Sequence, residues 1–252
     1  MSLVEHLIEL RKRLFRATLG ITAGAVVGWF LADLVLAALR APVIDVRHTQ
    51  DRVASINFST ITSAFDVKLE IALLTGVVIS SPIWLYQLFA FLTPAFTRRE
   101  KRYVFGFFFS AVPLFLAGCA AGWYVVPHIV QLLTGFAGKG DTTIIEAKAY
   151  LDFVLKLVIV TGIAFVLPVF LVLLNLVGVL SGRAIVKGWR FAVLAITLFT
   201  AIATPAADVL SMLLLAAPMV VLYFAAAGVA LLHDRRVARR NDAILSDAAE
   251  TV

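Results

Sequence analysis

Long apolar stretches separated by short polar segments follow one another along the whole chain. Four of them cover residues 15–39, 69–92, 103–126 and 153–180, and a fifth covers residues 191–232. A helix of about 20 mostly apolar residues crosses roughly 30 Å of hydrocarbon, and each stretch reaches that length. The pattern therefore predicts several membrane-spanning helices.

The fifth stretch is too long for a single crossing and contains a turn signal. Residues 204–208 read TPAAD. Proline lacks a backbone donor and the residue before it avoids the helical region, so a helix should stop before Pro205. We therefore expect a fifth span over residues 191–203 and a sixth over residues 209–232. The fifth span would be only about 20 Å long, so the bilayer should thin around it.

The eight prolines of the chain all fall within or beside the predicted spans. A proline inside a helix removes a hydrogen bond and kinks the helix. The fold class predicted is an all-α integral membrane protein, with six transmembrane helices in a proline-kinked, bent bundle. Residues 1–240 would form one membrane domain and residues 241–252 a disordered tail. The loop over residues 40–67 is long enough to hold short structure of its own.

Basic residues concentrate on alternate polar segments, which predicts the orientation. Four segments hold 15 of the 22 Lys and Arg residues: Arg11, Lys12, Arg13 and Arg16; Arg98, Arg99, Lys101 and Arg102; Arg183, Lys187 and Arg190; Arg235, Arg236, Arg239 and Arg240. Cytoplasmic loops of membrane proteins carry the excess of Lys and Arg. Both termini are therefore expected in the cytoplasm, which requires an even number of spans.

Composition agrees with this interpretation and excludes several classes. Hydrophobic residues make up 62% of the 252 residues and charged residues 15%, and the mean hydropathy is +0.98. These values exclude an ordinary soluble enzyme, and the single cysteine, Cys119, excludes a disulfide scaffold. The net charge of +6 follows from the topology and does not call for nucleic-acid binding.

The predicted spans lack the polar groups that transport and catalysis inside a membrane require. There is no mid-membrane ladder of carboxylates or histidines, no HExxH sequence, and no nucleotide, metal or cofactor motif. We therefore expect no catalytic residues, no metal and no cofactor. A polytopic small-solute transporter remains the alternative to a membrane receptor or scaffold.

Two acids stand out in the basic segments. Glu9 lies in a segment whose Leu3, Leu7, Leu10 and Leu14 predict an amphipathic helix against the membrane surface, and Glu100 lies directly before the third span. One interpretation is local ion pairing, for example of Glu9 with Arg13 at i,i+4, which contributes about 0.3–0.5 kcal/mol. The other is a binding site for cations, and both remain open at this point.

Three segments resemble signatures of the TatC family, the core receptors of the twin-arginine protein translocase. They are EHLIELRKRL at residues 5–14, SPIWLYQLFAFLTP at residues 81–94 followed by REKR at residues 99–102, and TPAAD at residues 204–208. They occur in the family's order and at matching topological positions, and the resemblance covers essentially the whole chain.

The resemblance implies a signal-peptide site at the cytoplasmic face. In the family, the acids matching Glu9 and Glu100 bind the paired arginines of the signal peptide. Guanidinium groups form bidentate, charge-assisted bonds with carboxylates, which lysine cannot copy. Arg11 and Arg102 would position the acids and the loop. Phe91 would pack on the signal peptide, with a core aromatic as the alternative, and Pro42 also matches an important family position.

At the outer face the resemblance implies a short hairpin where partner subunits dock. Thr204, Pro205 and Asp208 match the hairpin, with N-capping of the sixth helix as the ordinary role of Asp208. Met212 stands where some relatives carry glutamine, so the docking cluster would be reduced. Val166 stands where the family often carries a mid-membrane acid, so a mechanism that needs this acid is not expected here.

The function implied is that of a receptor in a bacterial plasma membrane. The chain would bind twin-arginine signal peptides of folded precursors and recruit TatA- or TatB-type single-span proteins. Export would be driven by the proton-motive force. A homo-oligomer within a larger complex, embedded in the lipid bilayer and without nucleic acid, is the expected assembly.

Overall fold

The chain folds into a bundle of helices with one small sheet. The structure, a computed structural model, describes residues 3–49, 54–58, 60–92, 100–135, 143–204 and 209–250. In chain order the elements are α1 (Leu3–Thr49), β1 (Ala54–Asn57), α2 (Ser63–Ile79), α3 (Ser81–Leu92), α4 (Glu100–Gly135), β2 (Thr143–Glu146), α5 (Ala147–Leu176), α6 (Gly182–Lys187), α7 (Trp189–Ala203) and α8 (Val209–Glu250).

Four helices in the described part are long and apolar enough to cross a membrane. They contain the segments Val4–Ala41, Gly106–Gln131, Ala147–Leu176 and Val209–Arg240. A fifth candidate is the pair α2 and α3, which is bent by 58°. The helical membrane fold is therefore confirmed. The sixth span stays a prediction, because α7 is a shorter apolar helix of 15 residues.

The bend between α2 and α3 lies where the sequence places Pro82. Ser80 ends α2, and α3 restarts at Ser81 with Pro82 in its first turn, where a missing N–H costs nothing. The indole Nε1 of Trp84 donates to the carbonyl of Val77 across the break, at 2.9 Å. This bond ties the two helices together at the bend.

The end of α7 is the one that the TPAAD segment predicts. Thr204 has φ −102° and ψ 153°, the extended conformation that a following proline favours. The helix stops at Ala203, as expected. Pro205 and Asp208 lie outside the described residues, so the proposed capping by Asp208 stays a prediction.

Glycines allow two pairs of helices to approach closely. A Cβ added to Gly24 of α1 would lie 2.5 Å from the carbonyl oxygen of Gly76 in α2. A Cβ added to Gly118 of α4 would lie 2.8 Å from the Cα of Gly162 in α5. Small residues at such crossings let backbones touch, which is how membrane helices gain packing energy.

The two strands connect these helix pairs at one end of the molecule. β1 pairs with β2 in parallel, from Ala54 opposite Thr143 to Asn57 opposite Glu146. Because β1 follows α1 and β2 follows α4, the C-terminal ends of α1 and α4 lie at the same end of the bundle. The short structure expected in the loop over residues 40–67 is thus present as β1.

Two apolar clusters mark the two ends of the bundle. The sheet-end cluster contains Leu39, Val67 and Leu151, with Ala203 and Phe58 packed against it. The far-end cluster contains Ile185, Tyr223, Ala227 and Ala230, with Leu171, Leu180, Ala192 and Ile196 packed against it. Between them α5 is the most enclosed of the four long candidate spans.

A polar clamp fixes α6 against α8 at the far end. One carboxylate oxygen of Asp234 accepts from the backbone N–H of Gly182 at 2.7 Å, and the other accepts from Nδ2 of Asn175 at 2.8 Å. Ser181 caps α6 by accepting from the N–H of Ala184, and the Tyr223 hydroxyl donates to the carbonyl of Ile185. The clamp joins the end of α5, the start of α6 and α8.

Two sequence predictions differ from the structure. α1 runs without a break from Leu3, so the amphipathic segment forms the first turns of the long helix and not a separate surface helix. No glycine or proline precedes Gly20, so nothing in the sequence interrupts the helix there. α8 continues to Glu250, so residues 241–250 are helical instead of disordered. The segment after Leu232 has no glycine or proline and is rich in Ala and Arg, which favour helix.

Candidate functional site

Glu9 lies on α1 with one carboxylate oxygen paired and the other unpaired. Oε1 accepts from Nε of Arg13 at 2.9 Å and from Nη2 at 2.6 Å. Oε2 is buried and has no hydrogen-bond partner among the residues that the structure describes. The predicted ion pair is therefore present, and the same carboxylate keeps one acceptor oxygen for another donor.

An apolar groove runs beside Glu9 between α1 and α3. Its volume is about 320 Å³. The residues that line it are Leu10, Arg13, Leu14, Ala17 and Ile21 of α1 and Trp84, Gln87, Leu88 and Phe91 of α3. On each helix these positions recur at helical spacing, so each helix presents one continuous stripe to the groove.

Phe91 joins the groove to the N-terminal turns of α1. Its ring stacks on that of His6 with centroids 4.5 Å apart and an angle of 28° between planes. Phe91 is half-buried and lines the groove, so it is not enclosed in the core. Phe91 is therefore available at the groove surface, and its contact with a signal peptide stays a prediction.

Gln87 places a second unpaired acceptor in the groove wall. Its Oε1 is buried and has no hydrogen-bond partner within the described part of the chain. Glu9 and Gln87 therefore both offer oxygen acceptors beside an apolar groove. Donors such as guanidinium groups would satisfy them.

Gln87, His6 and Trp84 were not predicted as site residues from the sequence. A signal for them was available, because residues 84, 87, 88 and 91 share one helix face. That periodicity could not show which helix this face meets. The pairing of α3 with α1 depends on the bend at residues 80–81.

For most of the other residues predicted in the signal-peptide site, the structure does not describe the side chain. Glu100 is the first residue of α4, but its side chain and those of Arg102 and Pro42 lie outside the described part of the chain. Arg11 is exposed on α1. Two residues correspond to about 200° around a helix, so Arg11 projects away from Glu9. The structure thus places Phe91 and Arg13, the ion-pair partner of Glu9, in the lining of one groove, and Arg11 is not part of that lining.

The predicted docking hairpin begins at the C-terminal end of α7. Thr204 is buried and its hydroxyl donates to the carbonyl of Thr200 at 2.9 Å. Met212 is half-buried near the start of α8. Thr204 therefore stabilises the end of α7 through this hydrogen bond. The bond explains a polar residue at this position without a docked partner protein.

The Val166 position is part of the apolar interior. Val166 is 3% exposed and belongs to a cluster with Phe89, Phe115 and Leu173. An unpaired carboxylate there would be strongly destabilising. Val166 therefore fills an apolar position in the interior of the bundle.

Charges near the sheet end pair with one another. Lys68 contacts both oxygens of Asp33, at 3.0 and 2.9 Å, and lies over the ring of Trp29. Lys148 lies 3.8 Å from Asp66, and Lys156 lies 3.7 Å from Asp152. Within the described ranges, no group of three or more His, Cys, Asp or Glu side chains could hold a metal ion.

Comparisons with known proteins agree with the sequence signatures. A family model described as "Sec-independent protein translocase protein (TatC)" matches residues 5–218. A protein of that name from Xylanimonas cellulosilytica is 46% identical over 95% of this chain and 87% of its own length. Another from Rothia mucilaginosa is 35% identical over 95% of this chain and 82% of its own.

Solved structures give the same result at the level of the fold. A crystal structure described as the twin arginine translocase receptor TatC is similar with a TM-score of 0.73 and 28% identity, over 90% of this chain and 98% of that one. A second, described as TatC in DDM, gives a TM-score of 0.75 at 28% identity, over 89% of this chain and 99% of the other.

These matches favour a protein translocase component over the alternative of a small-solute transporter. The matched family is one of protein translocase components and not of catalytic enzymes. The chain belongs to the TatC family of Sec-independent protein translocase proteins.

Proposed function

We propose that this chain is the signal-peptide receptor of a twin-arginine translocase. Glu9 and Glu100 bind the two arginines of the signal peptide, and the groove between α1 and α3 receives apolar residues of the same peptide. Secretory signal peptides combine a basic segment with an apolar one, so a receptor for them needs an acidic group beside an apolar surface.

The observation that carries the proposal is the unpaired oxygen of Glu9. A buried acceptor without a donor costs about 1–3 kcal/mol, and an arginine N–H would remove that cost. Arg13 occupies Oε1 and holds the carboxylate in place, and among the described residues Oε2 has no donor. The bonds from Arg13 thus fix the orientation of the carboxylate on α1.

The groove supports binding of the segment that follows the arginines. Leu10, Leu14 and Leu88 are exposed on its walls, and together with Phe91 they offer an apolar surface to a peptide side chain. Gln87 adds a buried acceptor in the same wall. Contact with this surface would add apolar burial to the charge-assisted bonds at Glu9.

The wider role follows from the family and the charge pattern. The chain recruits TatA- or TatB-type single-span proteins near Thr204, Pro205, Asp208 and Met212 and works as a homo-oligomer within a larger complex. It lies in a bacterial inner membrane with both termini in the cytoplasm, and the proton-motive force drives export. The positive-inside distribution of Lys and Arg supports this orientation.

Binding of a labelled twin-arginine signal peptide to the purified chain in nanodiscs tests the site. Arg-Arg and Lys-Lys peptides are compared on the parent chain and on Glu9→Gln, Glu100→Gln and the double variant. We expect the parent to prefer Arg-Arg. Each single change should weaken binding about tenfold or more, because a charge-assisted bond contributes about 1.5–3 kcal/mol.

Glu5→Gln is the matched control. Glu5 is exposed one turn before Glu9 on α1, so the substitution removes the same charge from the same helix. It should leave the Arg-Arg preference unchanged. Equal binding of Arg-Arg and Lys-Lys peptides by the parent chain, or equal losses in the Glu5 and Glu9 variants, would contradict the proposed site.

A further inference from the structure

A second groove lies at the far end of the bundle, between the end of α5 and α8. Its volume is about 560 Å³, and it is distinct from the groove beside Glu9. Its lining consists of Leu176, Val229, Leu232, His233, Arg236, Val237 and Arg240. The wall is therefore apolar at one end and basic at the other.

Six of the seven lining residues lie on α8, and along its axis the apolar Val229 and Leu232 come before the basic Arg236 and Arg240. Val229 and Leu232 are 51% and 55% exposed, and they belong to the last apolar turns of α8. Arg236 and Arg240 follow Leu232 by about 6 and 12 Å along the helix. In a bilayer crossed by α8, the groove would thus pass from the hydrocarbon region to the zone of the headgroups.

The basic end of the groove has unused donors. Arg236 and Arg240 are exposed, and no ion pair of theirs occurs in the part of the chain that the structure describes. Nδ1 of His233 is buried without a hydrogen-bond partner among the same residues, 3.9 Å from Asp234. Both oxygens of Asp234 accept hydrogen bonds in the clamp, and within the described residues this carboxylate forms no ion pair with Arg236 or Arg240.

The clamp also makes the groove a fixed feature. Asp234 bonds to Asn175, which directly precedes Leu176 in the opposite wall. The end of α5 and the face of α8 are therefore held at a constant separation by a charge-assisted hydrogen bond. A ligand would find a preformed site and would not have to order the helices on binding.

We propose that this groove binds one anionic glycerophospholipid of the surrounding membrane. Arg236 and Arg240 hold the phosphate, with His233 beside it, and an acyl chain lies along Val229, Leu232 and Leu176. Guanidinium groups match phosphate oxygens through paired N–H donors. The apolar wall is followed along α8 by a basic rim. This order fits an amphiphile that lies parallel to α8, with its acyl chain on the wall and its headgroup on the rim.

A lipid fits this surface better than a free anion or an acidic protein segment. Free phosphate would leave the exposed Val229 and Leu232 uncovered, and an acidic peptide would have to place polar backbone at the apolar end. A lipid covers both ends with groups of matching polarity. Basic pockets between membrane helices bind acidic lipid headgroups for the same reason.

Native mass spectrometry of the purified full chain tests the proposal. The chain is incubated with phosphatidylglycerol or with phosphatidylcholine of the same acyl length, and bound lipid is counted. We expect one phosphatidylglycerol to be retained in preference to phosphatidylcholine. Arg236→Gln with Arg240→Gln should lower phosphatidylglycerol affinity about tenfold or more.

The matched control is Arg235→Gln with Arg239→Gln. These arginines are one residue away on the same helix, about 100° around it, and do not line the groove. This control removes the same charge and should retain the lipid. Both double variants should keep the elution volume and melting temperature of the parent, since the four side chains are exposed.

Three results would overturn the proposal. Equal lipid loss in the two double variants would show that lipid retention depends on the general surface charge and not on this groove. Displacement of the lipid by millimolar inorganic phosphate would assign the site to a free anion. Tighter binding of a hexaglutamate peptide than of phosphatidylglycerol, lost with Arg236 and Arg240, would assign it to an acidic protein segment.

Discussion

Single glycine positions determine how closely α1 approaches α2. Gly24 faces the backbone of Gly76, and Gly20 faces the side chain of Ile83 in α3. The same stretch of α1 continues from the turns that carry Glu9. A change in the crossing would therefore also shift the groove wall formed by α1.

Gly24→Ala should destabilise the chain. The new Cβ would lie 2.5 Å from the carbonyl oxygen of Gly76, so the two backbones would have to separate. Overpacking of this kind costs about 1–3 kcal/mol. Heating the detergent-solubilised variant and measuring the remaining monodisperse fraction by size-exclusion chromatography should show a melting temperature lower by several degrees.

Gly228→Ala is the control for that substitution. Gly228 is also helical, but nothing lies within 4 Å of a Cβ added there. The change should be neutral or stabilising by up to about 1 kcal/mol, because alanine favours helix over glycine. Equal destabilisation by both changes would show that close helix packing is not the reason.

Individual side chains also show how far sequence reasoning reaches at the site. The ion pair of Glu9 with Arg13 could be predicted from their i,i+4 spacing, whereas the binding role of Glu9 was implied only by the family resemblance. The stacking of His6 on Phe91 could not be predicted, since the two residues are distant in sequence and on different helices. Spacing rules describe one helix at a time and do not say which helices meet.

At the scale of elements, the bend between α2 and α3 and the clamp on α6 determine where the grooves form. The prolines in the predicted spans predict kinks, and a bend of 58° occurs next to Pro82, within the span predicted over residues 69–92. The end of α7 was predictable for the same reason, because Pro205 follows Thr204. It was harder to predict where a helix continues, because a polar segment can either interrupt a helix or extend it. The N-terminal turns of α1 are an example, since they extend the helix.

Asp234→Asn should loosen α6. Both carboxylate oxygens accept hydrogen bonds, and an amide would direct its NH₂ group at the N–H of Gly182 or the amide of Asn175. The loss should amount to about 1–3 kcal/mol. Limited trypsin digestion should then cleave faster after Arg183, which follows Gly182 in α6.

Asp242→Asn provides the comparison for the clamp. Asp242 is exposed on the same helix, so the substitution removes a charge without touching α6. Its digestion rate should match that of the parent chain. Unchanged cleavage in Asp234→Asn would show that Tyr223 and Ser181 hold α6 without the carboxylate.

At the scale of the whole molecule, the course of the last two helices bears on the number of spans. Ala192 and Ile196 of α7 pack against the far-end cluster, whereas Ala203 packs against the sheet-end cluster. In α8 the order is reversed, with Leu215 in the sheet-end cluster and Ala230 in the far-end cluster. α7 and α8 therefore run in opposite directions along the bundle, although α7 has only 15 residues. This arrangement supports a sixth, short span.

The same geometry gathers the basic segments at one end. The N-terminal turns of α1, the start of α4, helix α6 and the arginines of α8 all lie opposite the sheet, because α1 and α4 run toward it and α5 and α8 run away from it. Charge counts in the sequence already predicted this alternation. The parallel strands that join the other end could not be predicted, because their pairing depends on how the intervening helices fold back.

Labelling of single cysteines in cells tests the orientation that this geometry supports. In a Cys119→Ala background, Thr60→Cys near the sheet and Asp242→Cys on α8 are each treated with a membrane-impermeant maleimide. Both positions are exposed. If the basic end faces the cytoplasm, Thr60→Cys is labelled in intact cells and Asp242→Cys only in inside-out vesicles.

Labelling of both from the outside would mean that α7 does not cross, since an odd number of spans would then place the end of α8 on the sheet side of the membrane. Labelling of Asp242→Cys alone in intact cells would reverse the orientation and remove Glu9 from the face where signal peptides arrive.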